Sequence, residues 1–197
     1  DILRSQGCGA QDREFVARLL WQALRAILSR ILTPDDHAIR FLSSVLNPNF
    51  ALVARDGDGM ILGLSGFKTC GGGLVGGELR DLAEVYGWMG ALWRGPLLAL
   101  IERDVEDGIL LMDGIFVSET ARGRGVGTAL LDAIKEYAKG MSLAAVRLDV
   151  IDTNPRASAL YLRQAFEPVG REQMGTLLDI FGFKGSTKMV WHAPKTA

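Results

Sequence analysis

Two cysteines and two histidines are all that this chain of 197 residues offers of the side chains that build disulfide frameworks and zinc sites. Cys8 and Cys70 are too few and too far apart for a stapled secreted fold, and no cysteine or histidine stands at metal-ligand spacing. No metal is therefore expected. Net charge is also scarce: 22 basic against 23 acidic residues leave −1, which argues against a large nucleic-acid footprint. No stretch approaches the ~20 apolar residues of a membrane span. The first residues lack a signal-peptide pattern, and a start on Asp1 reads as a processed or truncated chain. The expectation is a cytoplasmic protein with neither membrane nor nucleic acid as partner. Nucleophile chemistry is poorly provided for as well. Gly63-Leu64-Ser65-Gly66 is one residue short of a nucleophile elbow, and two distant histidines make no triad.

What is present is a hydrophobic share of 48% beside 23% charged residues, the balance of a globular chain. Residues 1–197 are enough for one domain with a proper core. Apolar patterning and turn residues predict a short first strand at 2–4 and a helix over 12–29 with Phe15, Leu19, Ala23 and Ala26 along one side. Thr33-Pro34-Asp35-Asp36 is a cap, a first-turn proline and an acidic first turn for a second helix through about Leu46. Residues 50–55 and 61–68 flank Asp56-Gly57-Asp58-Gly59 and read as a hairpin. The connection 69–107 is unusually long. Leu79, Leu82, Ala83, Tyr86 and Met89 give it a helical stripe over 78–93, Gly95-Pro96 reads as a break, and 97–105 as a further short helix. Strands near 168–171 and 187–191 finish the sheet.

The most informative segment is Arg122-Gly123-Arg124-Gly125-Val126-Gly127-Thr128. Before it, residues 108–117 read as a mostly buried strand. After it, Val126, Ala129, Leu130, Ala133, Ile134 and Tyr137 recur at helical spacing. A glycine-rich turn into a helix leaves backbone N–H groups pointing out of a positively polarised end, which makes an anion site, and phosphate is its usual occupant. The glycines permit positive φ and close approach, and Arg122 and Arg124 add full charges. A P-loop would need a lysine after the glycines. A dinucleotide fingerprint would need Gly or Ala where Thr128 stands, although Asp149 keeps a nicotinamide-dinucleotide oxidoreductase among the readings as a ribose-binding acid.

The segment does match Arg/Gln-x-x-Gly-x-Gly/Ala, as Arg122, Gly125 and Gly127. After a strand-like run at 145–150, Asn154-Pro155 opens a helix, with Ala157 three residues after the asparagine, Tyr161 two helical turns on, and Ala165-Phe166 beyond. Both motifs, in this order and one strand apart, resemble the GNAT superfamily of acetyl-CoA-dependent N-acetyltransferases. The likeness is specific over about 108–170. Ala165 replaces the family's usual glycine, which touches the chain turn more than the chemistry.

That resemblance implies an α/β (α+β) fold whose mixed central sheet, flanked by helices, is splayed in the middle. It implies acetyl-CoA as the acetyl donor, with CoA as product. The backbone of Ile115, Phe116 and Val117 would serve the pantetheine arm and thioester. Arg122, Gly123, Arg124, Gly125, Val126, Gly127 and Thr128 would hold the pyrophosphate, with Asn154 and Tyr161 beside the arm. Tyr161 takes the place of the acid that protonates the departing thiolate; by residue type alone it would as readily be a core ring. Asn154 is equally an N-cap.

For the amine's base, Asp113 is the candidate, because it shares strand parity with Ile115 and Val117 and a carboxylate in an apolar strand needs a purpose. A merely paired structural carboxylate is the competing reading. Glu119 reads more simply as a solvated loop charge, and of the two histidines, His37 and His192, His37 reads more simply as a solvated helix residue. The acceptor, a small-molecule or peptide amine, is left open among peptides, polyamines, antibiotics and small metabolites. Its pocket is expected on the sheet face opposite the pyrophosphate, bordered by Asp113 and the part of the insertion around residues 86–93. Those aromatics would otherwise be core or the surface of a homodimer, an assembly common in the family. An idle acyl-CoA-binding domain, acting as sensor or interaction module, is the alternative function.

Overall fold

The computed structural model describes residues 2–173 and 181–194. Among them, eight strands share one sheet: β1 (Leu3–Gln6), β2 (Ala51–Arg55), β3 (Ile61–Thr69), β4 (Gly72–Gly73), β5 (Ile109–Val117), β6 (Ala145–Ile151), β7 (Glu167–Gln173) and β8 (Gly185–His192). Their order is β1-β2-β3-β5-β6-β8-β7, with β4 a short return on β3. Neighbours are antiparallel except β5 and β6. Five helices flank the sheet: α1 (Arg13–Leu28), α2 (Asp35–Val45), α3 (Leu79–Ala99), α4 (Val126–Gly140) and α5 (Pro155–Arg163). No helix among the described residues is long and apolar enough to cross a membrane.

Two apolar layers sandwich the sheet. On one face α1, α2 and α3 pack Val16, Leu20, Phe41, Leu42 and Leu82 against Val53, Leu64 and Phe116. On the other, Leu131, Ile134 and Ala138 of α4 meet Phe67, Leu110, Met112, Val146 and Leu148. The predicted hairpin forms between β2 and β3, and Asp56 organises its turn by accepting the N–H groups of Asp58 and Met60 at 3.1 and 2.9 Å. Such Asx turns are what make aspartate a turn residue.

The predicted inner stripe of α1 has the wrong phase. Of its four residues only Leu19 is buried: Phe15 is 41% exposed, Ala23 and Ala26 are exposed, and the core takes Leu19 together with Val16, Ala17, Leu20, Trp21 and Leu28. The helix carries apolar residues on more than one side, so periodicity alone could not choose which side meets the sheet.

A second correction concerns the long connection. Gly95-Pro96 does not break its helix, and no separate helix follows; α3 runs on to Ala99. The chain bends instead at Gly87, whose φ of 69° and ψ of 164° lie outside the helical region. Gly95 serves packing: a Cβ there would sit 2.8 Å from Cδ1 of Leu79, so its absence lets the second half of the helix fold closely against the first.

Arg94 ties this folded helix to the rest. Only 9% exposed, it donates from Nε to the Ile31 carbonyl at 2.7 Å, and its guanidinium lies over the rings of Tyr86 and Trp93 at 4.1 and 4.2 Å. Lying over two rings while donating a hydrogen bond suits the broad guanidinium of arginine better than the compact ammonium of lysine. We expect Arg94→Met to lower unfolding free energy by about 2 kcal/mol, because it leaves the Ile31 carbonyl unpaired. Urea denaturation checks this, and an unchanged midpoint would demote the clasp to decoration.

Candidate functional site

β5 and β6 pair at Ile109–Ala145, Leu110–Val146 and Leu111–Arg147 and no further. Beyond that point Met112–Val117 stays with β3, and Leu148–Ile151 stays with β8. The sheet opens like a fork. At the mouth, after a single helical turn over Glu119–Ala121, the chain makes its glycine turn into α4.

Gly125 is the N-cap of α4, with φ of 80° and ψ of 3°, and a Cβ there would meet nothing within 4 Å. The left-handed conformation strains any side chain, and the open space leaves the backbone bare. The ladder of α4 begins with the N–H of Ala129 donating to the Gly125 carbonyl at 3.0 Å. The N–H groups of Val126, Gly127 and Thr128 therefore point out of the helix end, where the helix dipole is positive.

Fork and turn together line a cleft of about 560 Å³. Of the residues expected around a cofactor, Ile115, Phe116, Val117, Arg122, Gly123, Gly125, Val126, Gly127, Thr128, Asn154 and Tyr161 line it. Arg124 does not; it is exposed on the outer side of the turn. Asn154 caps α5, its Oδ1 accepting the Ala157 N–H at 3.1 Å, while also facing the cleft. Tyr161 lies two turns along the same helix, 7% exposed and packed on Phe166. Burial pushes its phenol up to about 12, the nearby Arg103 charge opposing only in part.

Residues that sequence reasoning missed complete the cleft: Leu19, Gln22 and Ala23 of α1, and Arg156 and Arg163 of α5. The misjudged stripe of α1 thus has a use: exposed Ala23 faces the cleft, and Leu19 borders it from the edge of the core. Gln22 donates to Glu119 at 2.8 Å and ties α1 to the approach to the glycine turn. The arginines could have been found by the helical spacing of 156 and 163 relative to Asn154 and Tyr161.

Asp113 lies on the other side of the sheet. Gly66 pairs with Gly114 and Phe67 with Met112, leaving Asp113 as the extra residue of a β-bulge. The bulge reverses strand parity. Leu110 and Met112 face α4, Ile115 and Val117 also pack toward α4, and Phe116 faces α1 and α2. The expectation that Asp113 shares a face with Ile115 and Val117 is corrected accordingly: the alternation it assumed breaks at that residue.

On its own face Asp113 lines a second cavity, also about 560 Å³, with Lys68, Glu102, Arg103 and a largely leucine wall from α1, α2 and α3. Its Oδ1 accepts from Arg103 at 3.2 Å, and its Oδ2 is buried with no hydrogen-bond partner among the described residues. Desolvation raises its carboxyl above the ordinary range against the opposing charges of Arg103 and Lys68. Phe116 lines both cavities and forms their shared wall.

The insertion reaches this cavity through Leu74–Leu82 and Gly95–Arg103, and the expectation for residues 86–93 is corrected. Tyr86 and Trp93 clasp Arg94, while Trp88 and Met89 are 62% and 82% exposed. Within that stretch Ala91 is buried in the core, and none of residues 86–93 lines the cavity. Asp149 is held by Arg103 and Arg147 at 3.3 and 3.4 Å, and it lines neither cavity, so a ribose-binding role loses its acid. Ser65 is fully buried within β3, where no nucleophile turn exists. Glu119 is exposed and paired with Gln22, and neither His37 nor His192 lines either cavity.

The sequence matches the model of the acetyltransferase (GNAT) family over residues 18–166. No curated protein matches it. Among solved structures it is similar to the N-acetyltransferase from Staphylococcus aureus Mu50, with a TM-score of 0.66 at 14% identity, covering 96% of this chain and 100% of that one. The ribosomal-protein-alanine N-acetyltransferase from Brucella melitensis gives a TM-score of 0.63 at 18% identity, with 96% and 99% covered. A GCN5-related N-acetyltransferase from Kribbella flavida gives 0.61 at 18%, with 97% of each chain covered. At such identities the structural likeness speaks for the fold alone. The family match spans most of the chain, from α1 to Phe166 and through both motifs, and the protein belongs to the GNAT family of acetyltransferases.

Proposed function

We propose that this chain moves an acetyl group from acetyl-CoA to a primary amine by direct attack within a ternary complex. The observation that carries this reading is the shared wall: Phe116 borders both a cleft built around a helix N-terminus and a cavity holding a buried carboxylate. Two reactants entering from opposite faces of one fork meet at the backbone of β5. The cleft fits the donor. The bare N–H groups of Val126, Gly127 and Thr128 suit a pyrophosphate, and Arg122, Arg156 and Arg163 line the same cleft as a phosphate-rich ligand requires.

Bound there, acetyl-CoA would supply an activated thioester and a thiol leaving group. The chain supplies the rest. The parted strand offers main-chain groups at Ile115 and Val117 to orient the arm and polarise the carbonyl, while those of Phe116 between them turn toward β3. Asp113, its proton affinity raised by burial, receives a proton from the amine. Tyr161, with a pKa of about 12, keeps its hydroxyl proton throughout the working range and gives a hydrogen bond to the developing thiolate. Phe116, which lines both cavities, stands between the donor's side and the acceptor's side.

CoA should raise the melting temperature, since it binds the folded state alone, and NAD should not. Gly125→Val should cost about 1–2 kcal/mol through its left-handed φ and should abolish the CoA shift. A shift with NAD and none with CoA would overturn the donor assignment.

Tyr161→Phe removes one hydroxyl, so CoA protection should survive while kcat falls about 10- to 1000-fold. Unchanged turnover would make the ring a packing residue. CoA binding by the wild type without turnover on any amine would favour a binding module over an enzyme.

The acid limb of the kcat/KM profile should have its midpoint above the 3.8 of an ordinary aspartate, because activity appears as Asp113 loses its proton. Asp113→Asn should erase that limb and lower the plateau. An unaltered profile in this variant would assign the deprotonation to another group.

A further inference from the structure

We infer that the acceptor is an amine carrying one cationic head on a large apolar body, of the arylalkyl or medium-chain alkyl class, and not a polyamine or a basic peptide. This rests on the acetyl-transfer reading for what happens to the head, while the cavity's preference stands on its walls alone. Leu20, Leu24, Phe41, Leu82, Pro96 and Leu98 face its interior, and a volume of about 560 Å³ accommodates a whole small molecule.

Charge in the lining is sparse and mostly spoken for. Lys68 pairs with Glu102 at 3.7 Å, Arg103 pairs with Asp113 and Asp149, and Glu78 is exposed at the N-cap of α3. Among the described residues of the lining, the buried polar side-chain atom without a partner is Oδ2 of Asp113. One ammonium satisfies it and neutralises the carboxylate that burial disfavours. Asp113 also shares a cavity with Phe116, the wall beyond which the donor's cleft lies. The head is thereby directed toward the donor and the body toward the leucines.

A second ammonium held against that leucine wall would lack a carboxylate, since Glu78 and Glu102 stand at the exposed rim of the cavity, and would carry a desolvation cost no contact there offsets. A peptide would bring several backbone N–H and C=O groups against the same wall, each lacking a partner. An alkyl or aryl body instead gains with every carbon it buries.

The test is calorimetric binding of n-butylamine, n-hexylamine, n-octylamine and spermidine to the CoA-loaded full chain. Affinity should climb about threefold per added methylene, roughly hundredfold from butyl to octyl, with spermidine below butylamine. Leu79 lines the cavity and is 39% exposed, so Leu79→Lys should fold. It should weaken octylamine at least tenfold, and a retained CoA melting shift serves as the folding control. Affinity independent of chain length, or preference for spermidine, would overturn the inference. Thiol release from acetyl-CoA with the same amines separates the two readings. A chain-length ladder in binding without release sinks acetyl transfer and upholds the apolar cavity. Release with spermidine and none with octylamine upholds transfer and sinks the acceptor class.

Discussion

β5 and β6 run parallel through three residue pairs and then part, which sets a backbone problem in the middle of the sheet. A strand edge inside a folded protein carries N–H and C=O groups that need partners. Here the edges of both strands are left free together, facing each other across the fork, and the glycine turn leads into α4 at its mouth. A site for an extended, amide-bearing ligand is a natural answer to that problem, because such a ligand completes both edges. The proposed pantetheine position follows from this, and the helix N-terminus then lies where the ligand's charged end must go.

The fork is also where the charges collect. Arg103, arriving from the end of the long connection, bridges Asp113 of β5 to Asp149 of β6, and Arg147 continues from Asp149 to Glu106. Two strands that no longer share hydrogen bonds are thus joined by ion pairs between side chains. A half-buried network of this kind contributes little to net stability, since desolvation offsets much of the attraction. Its consequence is geometric: Arg103 occupies Oδ1 of Asp113 and leaves Oδ2 unpartnered at the cavity. The carboxylate that we propose handles the amine is held from one side by a guanidinium and open on the other.

The insertion makes sense in the same terms. Its length allows a bent helix to close the α1–α2 face, and the Arg94 clasp fixes that helix to the turn after α1 through the Ile31 carbonyl. Leucines at both ends of the bent helix then complete a wall that α1 and α2 could not close alone. The aromatic stretch at the bend, with Trp88 and Met89 exposed, takes no part in it.

The sequence by itself determined the glycine turn, the strand before it, the capped helix after Asn154 and the family. Those signals are local: positive φ needs glycine, a helix start needs a cap, and seven residues bring Tyr161 back above Asn154. It also made much of the cleft lining legible, since that part comes from the end of one strand, the turn after it and one face of a short helix, while the α1 side of the cleft did not show. Only the tertiary structure decided what depends on pairing and phase. Alternation along β5 reads straight through Asp113, and only its partner β3 reveals the bulge that sends this carboxylate to the opposite face from Ile115. Apolar residues on several sides of α1 left its orientation open until the sheet selected one. Gly95-Pro96 reads as a break and Gly87 as the interior of a helix, yet the chain bends at Gly87 and runs on through Pro96. Close packing gives Gly95 its use, since Leu79 occupies the space a side chain there would have filled.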